Sequence, residues 1–255
     1  MCELLGMSAN TPTDLCFSFA GLMERGGHTG PHKDGFGVVF YDGKGVQPFM
    51  DSKPANESRL AALLRDYSIK SHVAISHVRQ ATHGRVCLEN THPFMRHLWG
   101  RTWCFAHNGK LYGIKGRPLT RFEPVGTTDS EHAFCWIMDQ LAARWPDRPR
   151  SMAPVHRFLG QLCKDVATLG TFNVLISEGR FLYTHCSTLL SHITRRAPFG
   201  EARLIDADLS VDFKALTTPS DVVTVIATRP LTDDEVWQAV DPGTFLVFRD
   251  GEVIV

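Results

Sequence analysis

Thr128-Asp129-Ser130-Glu131-His132-Ala133-Phe134-Cys135-Trp136-Ile137-Met138-Asp139-Gln140-Leu141-Ala142-Ala143-Arg144-Trp145 is the stretch on which the fold turns. Its first four residues form an S/T-x-x-E capping box, in which a hydroxyl and a carboxylate satisfy amide N–H groups that a helix start leaves orphaned. A helix is therefore predicted from here to about Trp145. A second stripe follows directly: Val155, Phe158, Leu159, Leu162, Val166 and Leu169 recur at helical spacing and stop at Gly170. Two helices in succession, with no strand between them, rule out simple βαβ alternation.

Strands are expected in blocks on either side. Upstream, 36–41 runs into the turn signal Asp42-Gly43, 72–78 alternates Val73, Ile75 and His77, and 102–106 is a similar run. Downstream, 172–177 and 180–185 flank Glu178-Gly179 as a hairpin, 222–228 reads as a buried strand, and 244–249 returns through Asp250-Gly251 to 252–255. Residues 13–26 read as a short helix, capped by Thr13 or Asp14, with Leu15, Phe19, Leu22 and Met23 as its apolar face and Gly26-Gly27 as its stop. A weaker helix is expected over 59–67. This order implies stacked layers, an α/β (α+β) protein with largely antiparallel sheets, as one domain over 1–255.

Bulk composition narrows the function classes. Lys+Arg and Asp+Glu both number 27, so net charge is zero, and no long basic run occurs. Neither nucleic acid nor an anionic membrane is expected as a partner. Seven scattered cysteines without a C-x-x-C pair signal neither a zinc site nor a disulfide framework. No basic n-region with an apolar h-region is present, so a cytoplasmic location is expected and Cys2 is not read as a lipid anchor. His28/His32 and His72/His77 lie in loop-like or strand-like stretches, with no convincing helix to set them at i, i+4 on one face, and no metal or other cofactor is expected.

Chemistry concentrates at four places. Cys2 directly follows Met1. Once Met1 is trimmed, thiol and α-amine share one residue, a nucleophile with its own base. Their ordinary pKa values, about 8.5 and about 8, make proton transfer nearly thermoneutral, whereas a carboxylate base would face a mismatch of about 4 units. His77-Val78-Arg79-Gln80-Ala81-Thr82-His83-Gly84 places Arg79 just past a strand, where its planar fork can hold a carboxylate. Phe105-Ala106-His107-Asn108-Gly109 offers an amide side chain and a following N–H, the donors an oxyanion needs. Asp129 can cap its helix or meet an ammonium. Alone, each has a blander reading: a buried thiol, a solvated Arg, a turn, a cap. Together they suit an α-amino acid with a carbonyl at the end of its side chain. A Cys104/His107 dyad is disfavoured, because residues three apart on a strand point to opposite faces.

The chain resembles the class II glutamine amidotransferases, and among them the single-domain, YafJ-like subgroup. The likeness rests on M-C at the start, H-V-R-Q-A-T-H-G at 77–84, N-T-H-P-F at 90–94, A-H-N-G at 106–109 and T-T-D-S-E at 127–131. Arg25-Gly26-Gly27 with Lys33-Asp34-Gly35-Phe36-Gly37 extends it. The resemblance implies the four-layer αββα sandwich of the N-terminal-nucleophile hydrolases. It further implies that Cys2 attacks the glutamine carboxamide, that Asn108 and Gly109 hold the oxyanion, and that Arg79 and Asp129 clamp the α-carboxylate and α-ammonium. Thr82 and His83 would shape the pocket, and Gln80 stands where sugar-phosphate-synthesising members carry Trp. The implied ligand is glutamine, with an ammonia-accepting synthase as the partner such a unit would serve. Two alternatives stay open: hydrolysis of another γ-glutamyl compound, such as a γ-glutamyl peptide or thiol, and a catalytically silent glutamine-binding regulatory module.

Overall fold

The computed structural model describes residues 2–81, 84–215 and 217–255. In chain order the elements are β1 (Glu3–Thr13), α1 (Cys16–Arg25), β2 (Phe36–Asp42), β3 (Gly45–Asp51), α2 (Arg59–Asp66), β4 (Ser71–Val78), β5 (Phe94–Leu98) and β6 (Arg101–Leu111). Then come α3 (Asp129–Arg144), α4 (Ala153–Ala167), β7 (Gly170–Ser177), β8 (Leu182–His185), β9 (Ser191–Arg196), β10 (Glu201–Arg203) and β11 (Ser210–Asp212). The last four are β12 (Val222–Ala227), β13 (Gln238–Ala239), β14 (Phe245–Arg249) and β15 (Glu252–Val253).

These strands form a seven-stranded sheet, ordered β13-β9-β12-β1-β4-β2-β3, and a six-stranded sheet, ordered β15-β14-β8-β7-β6-β5. All pairings in both are antiparallel. Three apolar clusters set the layering. Leu5, Met7, Val38 and Val225 on the outer face of the first sheet pack with Phe19 and Leu22 of α1 and Leu64 of α2. Phe105, Phe172 and Val174 on the outer face of the second meet Phe134 and Ile137 of α3 and Leu159 of α4. Between the sheets lie Leu4, Val39, Ile75, Cys104, Ala106 and Leu175. Each fully buried Leu or Phe contributes roughly 1.5–3 kcal/mol by leaving water. The result is the four-layer αββα sandwich.

The expected helices and strands form, with shifted ends. The first helix begins at Cys16, where Asp14 Oδ1 accepts the Cys16 N–H at 3.2 Å. Of the capping box only half closes: Thr128 Oγ1 accepts the Glu131 N–H at 3.1 Å, while the Glu131 carboxylate turns to the N–H groups of Val125 and Gly126 and to Arg96. Strand β1 was not foreseen. It is buried along most of its length, so it shows no polar alternation, and Gly6, Ser8, Asn10 and Pro12 depress its β-propensity. Gly6 is small because Leu175 and Leu182 of the facing sheet press on it; an added Cβ would sit 3.1 Å from each. Strands β3, β5 and β9 were also missed. No helix among the described residues is long and apolar enough to cross a membrane.

Candidate active site

Strand alternation decides what faces the space between the sheets. On β1, Leu4 faces inward, so Cys2, two residues earlier, continues that face. On β4, Ile75 faces inward, and His77 and then Arg79 follow. On β6, Ala106 faces inward, and Asn108 follows. Register brings these ends together: Glu3 pairs with Val78, and β6 contacts both β1 and β4 across the interlayer.

Cys2 lies against the residue after Arg79. Gln80 donates its N–H to Cys2 Sγ at 3.3 Å, and Sγ lies 3.5 Å from the Gln80 carbonyl. Burial pushes the Cys2 thiol above its ordinary pKa, and the Gln80 N–H and the positive charge of Arg79 only partly oppose this. The sulfur is thus a protonated thiol that needs a base to react.

Arg79 is buried, only 4 % exposed. Its Nη1 donates to two carbonyl oxygens, of Asp34 at 3.4 Å and Arg85 at 3.3 Å. Among the described residues no carboxylate forms an ion pair with it. Asp34 does something else: its Oδ2 accepts the Ala81 N–H at 2.7 Å and its own N–H donates to the Arg79 carbonyl at 3.0 Å, bracing the strand end. A buried guanidinium without a counter-ion is costly unless a ligand supplies the anion.

Asn108 and Gly109 follow from the β6–β7 register, in which Gly109 lies opposite Phe172. Phe172 gives its N–H to Ser187 Oγ and its carbonyl oxygen accepts from His185 Nδ1, both at 2.9 Å, so its backbone polar groups face away from β6. By the antiparallel pattern, Gly109's N–H points away from β7 too. On that side β5 pairs only as far as Phe105, leaving the Gly109 amide at an open stretch of edge. Only glycine fits there, since a Cβ would fall 1.9 Å from the Thr171 carbonyl oxygen. The Asn108 side-chain oxygen is buried without a hydrogen-bond partner among the described residues.

Asp129 sits on the same side of β6. Its Oδ2 accepts the Leu111 N–H at 2.7 Å and its Oδ1 accepts the Ser130 N–H at 3.0 Å. It is half-buried, one oxygen already tying α3 to β6. Thr82 and His83 lie outside the described residues. Cys104 and His107 part as alternation requires: Cys104 packs between the sheets, while His107 lies on the outer side, against Ser130 Oγ at 2.8 Å and the Thr171 carbonyl at 2.9 Å.

Sequence reasoning missed a pair of histidines beneath the site. The rings of His77 and His92 lie 4.3 Å apart between centroids, and among the described residues their four nitrogens find no hydrogen-bond partner. Burial holds His77 down to about 3 and His92 well below the ordinary imidazole value, so both are neutral near pH 7. Asn90 was seen only as part of a motif; its Oδ1 accepts the Thr127 N–H at 2.8 Å and joins the 84–90 loop to the α3 approach. Of the histidines weighed as metal ligands, His28 meets Glu24, His32 the Arg25 carbonyl and His72 the Ala9 carbonyl.

A layered sandwich with a cysteine heading the central strand of one sheet is consistent with an amidotransferase class of protein. Comparison with known proteins agrees: the family model described as class-II glutamine amidotransferases matches residues 1–255, and the chain belongs to that family. It is 55 % identical to YafJ of Escherichia coli (strain K12), which carries a provisional glutamine amidotransferase name, over the full length of both. A crystal structure from Pseudomonas aeruginosa PA01, described as a predicted glutamine amidotransferase, superposes with a TM-score of 0.80 at 48 % identity, with full coverage of both chains. The glutamine phosphoribosylpyrophosphate amidotransferase of B. subtilis shares the fold, with a TM-score of 0.60 at 17 % identity over 99 % of this chain and 48 % of that one.

Proposed function

We propose that the whole chain acts as one glutamine-hydrolysing domain of the amidotransferase type. After Met1 is removed, the freed α-amine takes the Cys2 thiol proton, and Sγ attacks the side-chain carbonyl carbon of glutamine. The C–O π pair moves onto oxygen, where the Asn108 amide and the Gly109 N–H receive it. Collapse of this intermediate breaks the C–N bond; the proton carried by the α-amine passes to nitrogen, and ammonia leaves. Water then adds to the γ-glutamyl thioester, gives its proton back through the amine to sulfur, and glutamate departs. Arg79 binds the α-carboxylate, the free oxygen capacity of Asp129 takes the α-ammonium, and substrate binding is the role assigned to Thr82 and His83.

The observation that carries this reading is the buried Arg79 guanidinium, without a carboxylate partner among the described residues and one residue from the Gln80 amide that touches Cys2. It supports a small anionic ligand positioned at the sulfur. Asp129 and Arg79 read only the glutamyl half of a substrate, so the leaving group is the open variable. The test is kcat/KM on Met1-free protein with L-glutamine and with γ-glutamyl dipeptides, alongside mass-spectrometric trapping of Cys2 by an electrophilic glutamine analogue. Labelling at Cys2 with turnover of L-glutamine is the expected result. Preference by orders of magnitude for a dipeptide reassigns the leaving group to an amine other than ammonia, and an unlabelled, inert Cys2 overturns the reading in favour of a glutamine-binding regulator.

A further inference from the structure

Cys2 is held from behind. Glu3, whose side chain points to the outer face of the sheet as that of Leu5 does, is 2 % exposed and carries two arginines. Its Oε2 accepts from Arg25 Nη1 at 3.2 Å, and its Oε1 accepts from Arg229 Nε at 2.9 Å and Nη2 at 2.6 Å. Arg25 in turn donates through Nε to Asp206 Oδ2 at 2.6 Å and to the carbonyls of Arg229 and Pro230. The charges balance: two arginines, two carboxylates.

Backbone pairing explains why this matters for Cys2. On the β4 side the ladder runs up to Glu3–Val78. On the β12 side the strand pairing ends at Leu5–Ala227, and Leu4 closes it by exchanging bonds with Thr228: its N–H donates to Thr228 Oγ1 at 2.9 Å and its carbonyl accepts the Thr228 N–H at 3.1 Å. Beyond Leu4 no backbone partner on that side occurs among the described residues. Arg229, the next residue, continues the seam with its side chain instead, gripping Glu3. In a strand, neighbouring side chains point to opposite faces, so fixing Glu3 outward fixes Cys2 inward.

We propose that Glu3, clamped by Arg25 and Arg229, is a positioning residue that aims the Cys2 sulfur into the interlayer site. The inference rests on the catalytic reading of Cys2 given above. Misplacement of a reacting group by about 1 Å can lower the rate about 100-fold. Glu3→Gln keeps the shape and leaves Arg25 with Asp206 and its two carbonyl partners. Two measurements on this variant decide the matter. In its crystal structure, the Cys2 sulfur is expected to leave hydrogen-bonding distance of the Gln80 amide or to adopt more than one rotamer. With L-glutamine as probe, kcat of the folded fraction, checked by circular dichroism, is expected to fall about 10- to 100-fold while KM changes less than about 3-fold. Arg229→Lys, which keeps the cation but loses the fork, should give a kcat between those of the parent and Glu3→Gln. A Glu3→Gln protein with sulfur in place and undiminished kcat overturns the proposal. If the parent protein itself proves inert toward L-glutamine, the glutaminase reading falls, and the variant's crystal structure alone still decides the positioning claim.

Discussion

Arg25 and Arg79 are both buried, 5 % and 4 % exposed, and both flank the strand that carries Cys2. Their surroundings are opposites. Arg25, on the outer face, meets two carboxylates and two carbonyls, so its donors are used and its charge is neutralised. Arg79, in the interlayer, has carbonyl partners for one nitrogen and no carboxylate among the described residues. A buried cation whose partners are built in belongs to the scaffold. One whose anion must arrive from outside belongs to a site.

The comparison can be broken by measurement. Its premise is that both arginines serve Cys2, so the largest effect is expected at the sulfur: Cys2→Ala should reduce glutamate release by about 10⁴-fold or more, as loss of a covalent nucleophile does. Residual activity near the parent level would empty both arginines of catalytic meaning. Arg25→Met should be the most destabilising of the charge changes, about 3–5 kcal/mol, because it leaves the half-buried Asp206 carboxylate without its cation and the buried Glu3 with Arg229 alone. Urea midpoints measure this. A loss under 1 kcal/mol would mean that the outer network is ornamental. Asn108→Ala should reduce kcat by about 10²–10³ with little change in KM, since an oxyanion donor acts in the transition state. An effect confined to KM would move Asn108 to ground-state binding.

Arg79→Met sharpens the contrast. Its KM for L-glutamine should rise by the equivalent of about 1.5–3 kcal/mol, the range for hydrogen bonds to charged groups. Its folding stability should hold or increase, because an uncompensated buried charge is gone. A large stability loss with KM unchanged would make Arg79 a second Arg25. The smallest effect is in acid. His77 has its folded-state pKa lowered to about 3 by burial, so the unfolded chain binds the proton first as pH falls. Stability is therefore level above about pH 6.5 and lost below it, by up to about 1.4 kcal/mol per pH unit. His77→Phe should flatten that acid limb in urea titrations, and an unchanged limb would place the relevant proton elsewhere.

Much of this was legible in the chain itself, for a definable reason. The helices over α3 and α4, the strand through His77 and the start of the strand that carries Asn108 announce themselves through caps and alternation. Arg79 and Asp129 sit at element ends, where short polar motifs interrupt apolar runs, whereas Asn108-Gly109 lies within β6, which runs on to Leu111. Strand β1 was illegible because a strand buried on both faces loses its alternation, and this one also carries Gly6 and Pro12. The partners of Arg25 were illegible for another reason: Glu3, Asp206 and Arg229 are distant in sequence and joined only by tertiary packing. Asp129 was read as a cap or a ligand contact, and the Leu111 N–H it accepts could not be inferred from spacing. The bare nitrogens of His77 and His92 likewise exist only once the two strand ends meet a loop.

The place of β1 in its sheet has a consequence in time. Its neighbours are Ser71–Val78 on one flank and Val222–Ala227 on the other, so the strand that follows Cys2 is completed only by a segment far along the chain. Such long-range closures are slow to form. A polypeptide cut short before Val222 thus lacks one flank of β1 and the Arg229 arm that grips Glu3.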